Sequence, residues 1–243
     1  MQVKFEIGDI RKAINRVGVK KLNQKIMSTY KLQIAFSDDE LRAIYDSGTN
    51  VIIAKPSIGG DDPNVAWQVF KPFQANTLSW KEEYGIYAST SEVKNGAQLS
   101  QLSSVPVGAS MNKLYVLEDN ATVSGPSSGG EANSYALTNS YSGGIIPGTD
   151  NPNKRIMTVG LFQDANVNGT DIKGNAVSAA PVLLASTAIM TPFTTVYIWL
   201  QSQVKSNSVV TTVTSKKTAL VFGGGVDALS VTYDAPTGKF LPA

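Results

Sequence analysis

Any chemistry in this chain must be done without histidine or cysteine, since neither occurs among its 243 residues. Their absence removes the commonest general base, the usual nucleophilic triad, disulfides and nearly all transition-metal sites. Carboxylate, lysine, tyrosine and serine chemistry remains. Ser28-Thr29-Tyr30-Lys31 has the Ser-x-x-Lys spacing of penicillin-recognising acyl enzymes, but such a serine should open a helix. Here it precedes a strand, with no Ser-Asp-Asn or Lys-Thr-Gly partner. The carboxylate pairs Asp38/Asp39, Asp61/Asp62 and Glu82/Glu83 are adjacent in sequence. In a strand, adjacent side chains point to opposite faces, so Glu82 and Glu83 do not form a glycosidase pair together. Asp61, Asp62 and Asp150 sit among Gly, Asn and Pro without the spacing of a calcium loop and are expected to be solvated turn residues. Gly223-Gly224-Gly225 lacks the lysine and following helix of a phosphate loop and reads as a turn. The sequons at Asn120 and Asn168 have no secretory leader before them and are expected to be chance matches. The expectation is a protein that is not an enzyme and uses no cofactor or metal.

Charge is distributed unevenly. Residues 1–28 hold seven basic side chains against two acidic ones, whereas the remainder holds fourteen basic and seventeen acidic. Within residues 9–27, Ile10, Ala13, Ile14 and Val17, then Leu22, Ile26 and Met27, share an apolar stripe beside Lys12, Arg16, Lys20 and Lys21. This spacing predicts a basic amphipathic helix weakened at Gly18. Its candidate binding residues are Ile10, Lys12, Ile14, Arg16, Val17, Lys20, Lys21 and Leu22. A cationic stripe flanked by aliphatics suits either an anionic lipid surface or the acidic body of another copy. The alternative is a helix packed on its own domain. Nucleic acid is disfavoured because the body is acidic and no recognition motif accompanies the basic segment.

The rest of the chain must position anything that functions. Tyr30–Ile34 alternates as a half-buried strand. Ser37-Asp38-Asp39-Glu40 is a capping box that opens a helix over about 38–47, with Leu41, Ile44 and Tyr45 as its buried stripe and Gly48 at its end. Val51–Ala54 reads as a short buried strand. Val65–Lys71 and Thr77–Ser89 suggest a hairpin that gathers Trp67, Phe70, Phe73, Trp80, Tyr84 and Tyr87. In its second strand Leu78, Trp80, Tyr84, Ile86 and Ala88 share one face, interrupted by Glu82. Trp67, Trp80 and Tyr87 are candidate surface aromatics for a glycan or lipid interface, against the alternative of sandwich core. Residues 90–150 are rich in Ser, Gly and Asn and suit exposed loops, with strands at Leu114–Leu117 and Tyr135–Leu137. The last third reads as short strands separated by breakers such as Asn168-Gly169 and Pro236-Thr237-Gly238. Ser202–Thr214, rich in Ser, Thr and Val, is similar to the amphipathic hairpins that line β-barrel pores, or is an ordinary edge strand.

These elements predict a mainly β fold, an antiparallel β-sandwich or barrel, with an N-terminal helix over 1–28 and one β-rich domain over 29–243. No apolar run reaches the length of a membrane-spanning helix and the start lacks a signal core, so synthesis in the cytoplasm and release by a non-classical route are expected. An amphipathic helix ahead of an aromatic-bearing sandwich resembles the element order of actinoporin-type pore formers, with no motif matched residue by residue. That resemblance implies a toxin or defence protein acting on membranes. A homo-oligomeric structural subunit and a carbohydrate-binding module are the other readings.

Overall fold

The computed structural model describes residues 28–56, 62–144 and 155–243. Residues 10–22, which hold the candidate lipid- or partner-binding positions, and Asp61 and Asp150 lie outside these segments. The described chain is mainly β, with one short helix, α1 (Asp38–Asp46). The strands are β1 (Thr29–Ala35), β2 (Thr49–Ala54), β3 (Val65–Ala66), β4 (Gln68–Phe70), β5 (Ala75–Lys81), β6 (Gly85–Ser89) and β7 (Ser103–Val105). They continue with β8 (Lys113–Leu117), β9 (Val123–Ser127), β10 (Tyr135–Asn139), β11 (Ile156–Val167), β12 (Thr170–Ala176) and β13 (Ala180–Leu183). The last are β14 (Thr187–Met190), β15 (Thr195–Ser202), β16 (Ser208–Val209), β17 (Thr218–Val221), β18 (Ala228–Asp234) and β19 (Lys239–Pro242).

The largest sheet runs β19-β18-β1-β5-β11-β6-β7, with β12 and β13 also on β11. The long β11 is its spine. One edge of β11 takes β5 and β6 end to end, and the other takes β12 and β13. Two four-stranded sheets, β17-β15-β2-β4 and β14-β10-β8-β9, share with it one continuous core. That core joins Leu32, Ile34, Leu78 and Val159 of the large sheet to Val51, Ile53 and Ile198 of one small sheet and to Tyr115, Leu117 and Leu137 of the other. The layering is sandwich-like, and alternation along each strand produces it, because every second side chain of β1 and β5 faces inward.

Local chemistry explains the elements that match their sequence patterns. The Ser37 hydroxyl accepts from the Glu40 amide (3.4 Å), while the Ser37 amide donates to Glu40 Oε2 (2.7 Å), which fixes the start of α1. The Asn168-Gly169 pair takes positive φ at both residues, 50° and 85°, and closes β11 onto β12 as a two-residue hairpin.

Other expectations are corrected. The segments 65–71 and 77–89 are not a hairpin: β4 pairs with β2, while β5 pairs with β1 and β11. The pairing is also not wholly antiparallel, since β1 lies parallel to β18 and β8 parallel to β10. Strands distant in sequence can pair either way because no tight turn sets their direction. Ser202–Thr214 is neither hairpin nor edge strand. After Ser202, the last residue of β15, it contains only the two-residue β16, which lies between β3 and Gln98, and Val209 and Val210 are in the core. Tyr45 does not complete the buried stripe of α1; Ile44 is buried and Tyr45 is 43% exposed. Three strands at sheet edges carry proline, at Pro126 in β9, Pro181 in β13 and Pro242 in β19. Proline cannot donate to an added strand and so blunts an edge. Among the described residues no helix is long and apolar enough to cross a membrane.

Candidate functional site

Two places in the fold break the rule that charge is solvated and aromatic surface is hidden. The first lies between the sheets. Lys55 follows β2 on the same face as Val51 and Ile53, and Glu82 follows β5 on the same face as Leu78 and Trp80, so strand parity sends both charges into the core. Only 2% of the Lys55 side chain and 18% of the Glu82 side chain is accessible. Lys55 Nζ donates to Glu82 Oε1 at 2.8 Å and to the Tyr84 hydroxyl at 2.7 Å. Tyr84 in turn donates to Glu82 Oε2 at 2.7 Å, which closes a ring of hydrogen bonds. Trp80 Nε1 adds a bond to Oε1 at 2.9 Å. The ammonium also sits 5.5, 5.6 and 4.9 Å from the ring centroids of Trp67, Trp80 and Tyr84, within cation–π range.

Burial pulls Lys55 below its ordinary basicity, and the neighbouring Glu82 only partly restores it. For Glu82 burial works upward, but the Lys55 charge and the bonds from Lys55, Tyr84 and Trp80 outweigh it and hold the carboxyl low. Burial beside that carboxylate raises Tyr84 well above the usual phenol range, so it stays protonated. The geometric reason for the cluster is the break between β5 and β6 at Glu82-Glu83-Tyr84, opposite the irregularity at Gln163–Ala165 of β11.

The second place is a surface turn. Asn76, only 3% exposed, accepts from the Phe73 amide (2.8 Å) and donates to the Phe73 carbonyl (2.7 Å) and the Ile34 carbonyl (3.3 Å). Asn168 donates to Asn76 Oδ1 at 3.2 Å and accepts from the Thr77 amide at 2.8 Å. The clamped turn presents Phe73 with 59% of its surface exposed. Beside it the Tyr45 hydroxyl donates to the Pro72 carbonyl (2.9 Å) and Lys71 Nζ lies 5.0 Å from the Tyr45 ring centroid. The same face carries α1, whose Asp38, Asp39, Glu40 and Asp46 stand against Arg42 alone. Acids in the first turn suit the helix dipole. Asp46 in the last turn does not.

The surface aromatics expected from sequence are not on the surface: Trp67, Trp80 and Tyr87 are 0%, 3% and 0% exposed. Trp67 and Trp80 face the shared core, and Tyr87 packs with Phe162 and Val209 on the other face of the large sheet. None can serve as a sugar-stacking platform. Phe73 is the exposed aromatic of that stretch, and Phe70 is half-buried. Lys31, the partner in the Ser-x-x-Lys spacing, points outward from β1, and Asp62 pairs with Lys217. Lys55 was legible only as a charge at an inward-facing position, and Asp46 only as a charge at the wrong end of a helix. No His/Cys/Asp/Glu group able to hold a metal occurs among the described residues.

Comparison with known protein families, curated proteins and solved structures finds no match for this chain.

Proposed function

We propose that this protein is a non-catalytic, self-associating β subunit in which the basic leading segment of one copy docks on the α1 and Phe73 face of another. The observation that carries this reading is the pairing of excess acid with exposed aromatic surface on that face. Lys12, Arg16, Lys20 and Lys21 complement Asp38, Asp39 and Asp46, while Ile10, Ile14 and Val17 complement Tyr45 and Phe73. Asp46 costs its own helix some stability, and a local rule broken without local compensation is the usual mark of a functional position. Light scattering tests the reading. At low salt the protein forms oligomers, and deletion of residues 1–27 or Phe73→Asp yields monomers. Raising the salt disperses them too, because exposed charges separated by more than about 8 Å are screened at physiological ionic strength. A full-length protein that is monomeric throughout, or a deletion variant of unchanged size, refutes it.

A second reading is favoured by the clamp on Phe73. An aromatic held rigidly at a turn tip, together with a cationic amphipathic segment, suits insertion at a lipid interface, as a membrane-directed toxin or defence protein would need. Each basic residue near an anionic surface contributes about 1 kcal/mol, so binding to phosphatidylserine vesicles and release of calcein from them are the expected signals. Intact protein that neither binds nor leaks such vesicles excludes it.

A further inference from the structure

The Lys55–Glu82 pair is costly as a salt bridge. Two charges taken from water regain their solvation only with excellent geometry, and hydrophobic replacements often do as well. The geometry here has a second use. Nζ, the Tyr84 hydroxyl and both carboxylate oxygens form a closed loop with contacts of 2.8, 2.7 and 2.7 Å. The three rings around the ammonium and the anchoring of each partner on a different sheet hold nitrogen and carboxyl together, as reactants must be held for intramolecular condensation.

We propose that Lys55 and Glu82 become joined after folding by an amide bond, a covalent tie between two sheets of the sandwich. Tyr84 passes a proton from Nζ to Oε2 by giving one and taking one, which leaves a neutral amine facing a neutral carboxyl. The Nζ lone pair attacks Cδ, and the charge developing on Oε1 is met by Trp80 Nε1–H, already 2.9 Å away. A second proton travels from nitrogen through Tyr84 to Oε2. The Cδ–Oε2 bond then breaks and Oε2 departs with both protons as water. The nitrogen keeps its third hydrogen, the positive and negative charges cancel, and nothing is oxidised or reduced. Burial favours the neutral amine, and the accessible edge of Glu82 gives the water a way out. The product replaces two buried ions by one neutral amide, which removes most of the desolvation penalty.

Intact-mass spectrometry of the folded protein tests the proposal. The wild type should be lighter than its sequence mass by one water, and digestion should yield a branched peptide joining the segments around Lys55 and Glu82. Lys55→Met and Glu82→Leu should each have their full sequence mass. Tyr84→Phe, which keeps the ring and loses the proton relay, should lower the linked fraction at a fixed early time by about a hundredfold, the lower end of general acid–base contributions. A folded wild type at full sequence mass after prolonged incubation, with the two peptides recovered separately, overturns the proposal. So does a missing water that persists in Lys55→Met.

Discussion

Replacing Lys55 by methionine is the sharpest test of what the inter-sheet cluster does for the fold. Methionine preserves the unbranched stem packed among Trp67, Trp80 and Tyr84 but removes the countercharge to Glu82. Breaking a buried pair from one side costs about 3–5 kcal/mol. Glu82 is 18% accessible and keeps its bonds from Tyr84 and Trp80, which places the loss nearer about 3 kcal/mol. For a chain of this size that lowers the thermal midpoint by roughly 6–12 °C. The double variant Lys55→Met with Glu82→Leu leaves no stranded charge and should return to within about 1 kcal/mol of wild type freshly refolded and still at full sequence mass, that is, without the amide. Urea unfolding followed by tryptophan fluorescence reads the site directly, since two of the three tryptophans flank it. The pH dependence has a determined sign. In the wild type the folded carboxyl is held below its ordinary value of 4.5, so its stabilisation exists above that pH and is lost as pH falls through the depressed value. In Lys55→Met only the bonds from Tyr84 and Trp80 still oppose burial, so the carboxyl moves up from its wild-type position and the variant's deficit shrinks as acid protonates it. Both effects narrow the gap between neutral pH and about pH 4. Where the amide has formed, the wild-type contribution drops out and the gap narrows from the variant's side only. A loss below about 1 kcal/mol at neutral pH, or a double variant as unstable as the single, refutes the reasoning.

Asp46→Ala removes a carboxylate from the wrong end of α1, so the fold should gain about 0.3 kcal/mol while self-association weakens; calorimetry and light scattering on one sample separate the effects. Asn76→Ala leaves the Phe73 amide and carbonyl without their partner, and the expected cost is about 1–3 kcal/mol with faster proteolysis within 71–75. Gly160→Ala would put its Cβ 1.9 Å from the Ser178 carbonyl oxygen, a backbone atom, whereas Gly85→Ala meets the Phe162 ring at 2.1 Å. Because a ring can swing and a backbone carbonyl held by the buried Tyr87 hydroxyl cannot, Gly160→Ala should lose soluble expression or at least about 3 kcal/mol, and Gly85→Ala should lose less, as measured by thermal unfolding.

Much of the fold was legible because local rules act locally. Ser37 and Glu40 announce α1, Asn168-Gly169 announces a break between strands, and the alternation from Tyr30 to Ile34 announces β1. Partner choice is a different quantity. The alternation in 77–89 identifies which side chains face inward, and it identified Glu82 as an interruption, but it carries no information on whether β5 lies beside β4 or β1. The Asn76 clamp and the long β11 decide that, and both are tertiary. The strands β7 and β9 lay in Ser- and Gly-rich sequence with little apolar pattern to show them. The aromatic residues are a related case: Trp67, Trp80 and Tyr87 are candidates for surface against the alternative of core, and packing decides it, with Trp67 and Trp80 between the sheets and Tyr87 against Phe162 and Val209 on the other face. Lys55 follows a hydrophobic strand and precedes a proline, which reads as a strand leaving the core. Parity puts Lys55 on the face of Val51 and Ile53, but only the sheet opposite, bearing Glu82, continues the core as far as that position.

The prolines on β9, β13 and β19 limit what any assembly of this protein can be. Sheets that cannot be lengthened sideways at those borders do not grow fibrils there by strand addition, so any meeting of copies at those three strands has to go through side chains or a docked segment. A segment docked head to tail closes into a ring of fixed copy number only where the rotation between copies divides a full turn, and at any other angle the array lengthens as concentration rises.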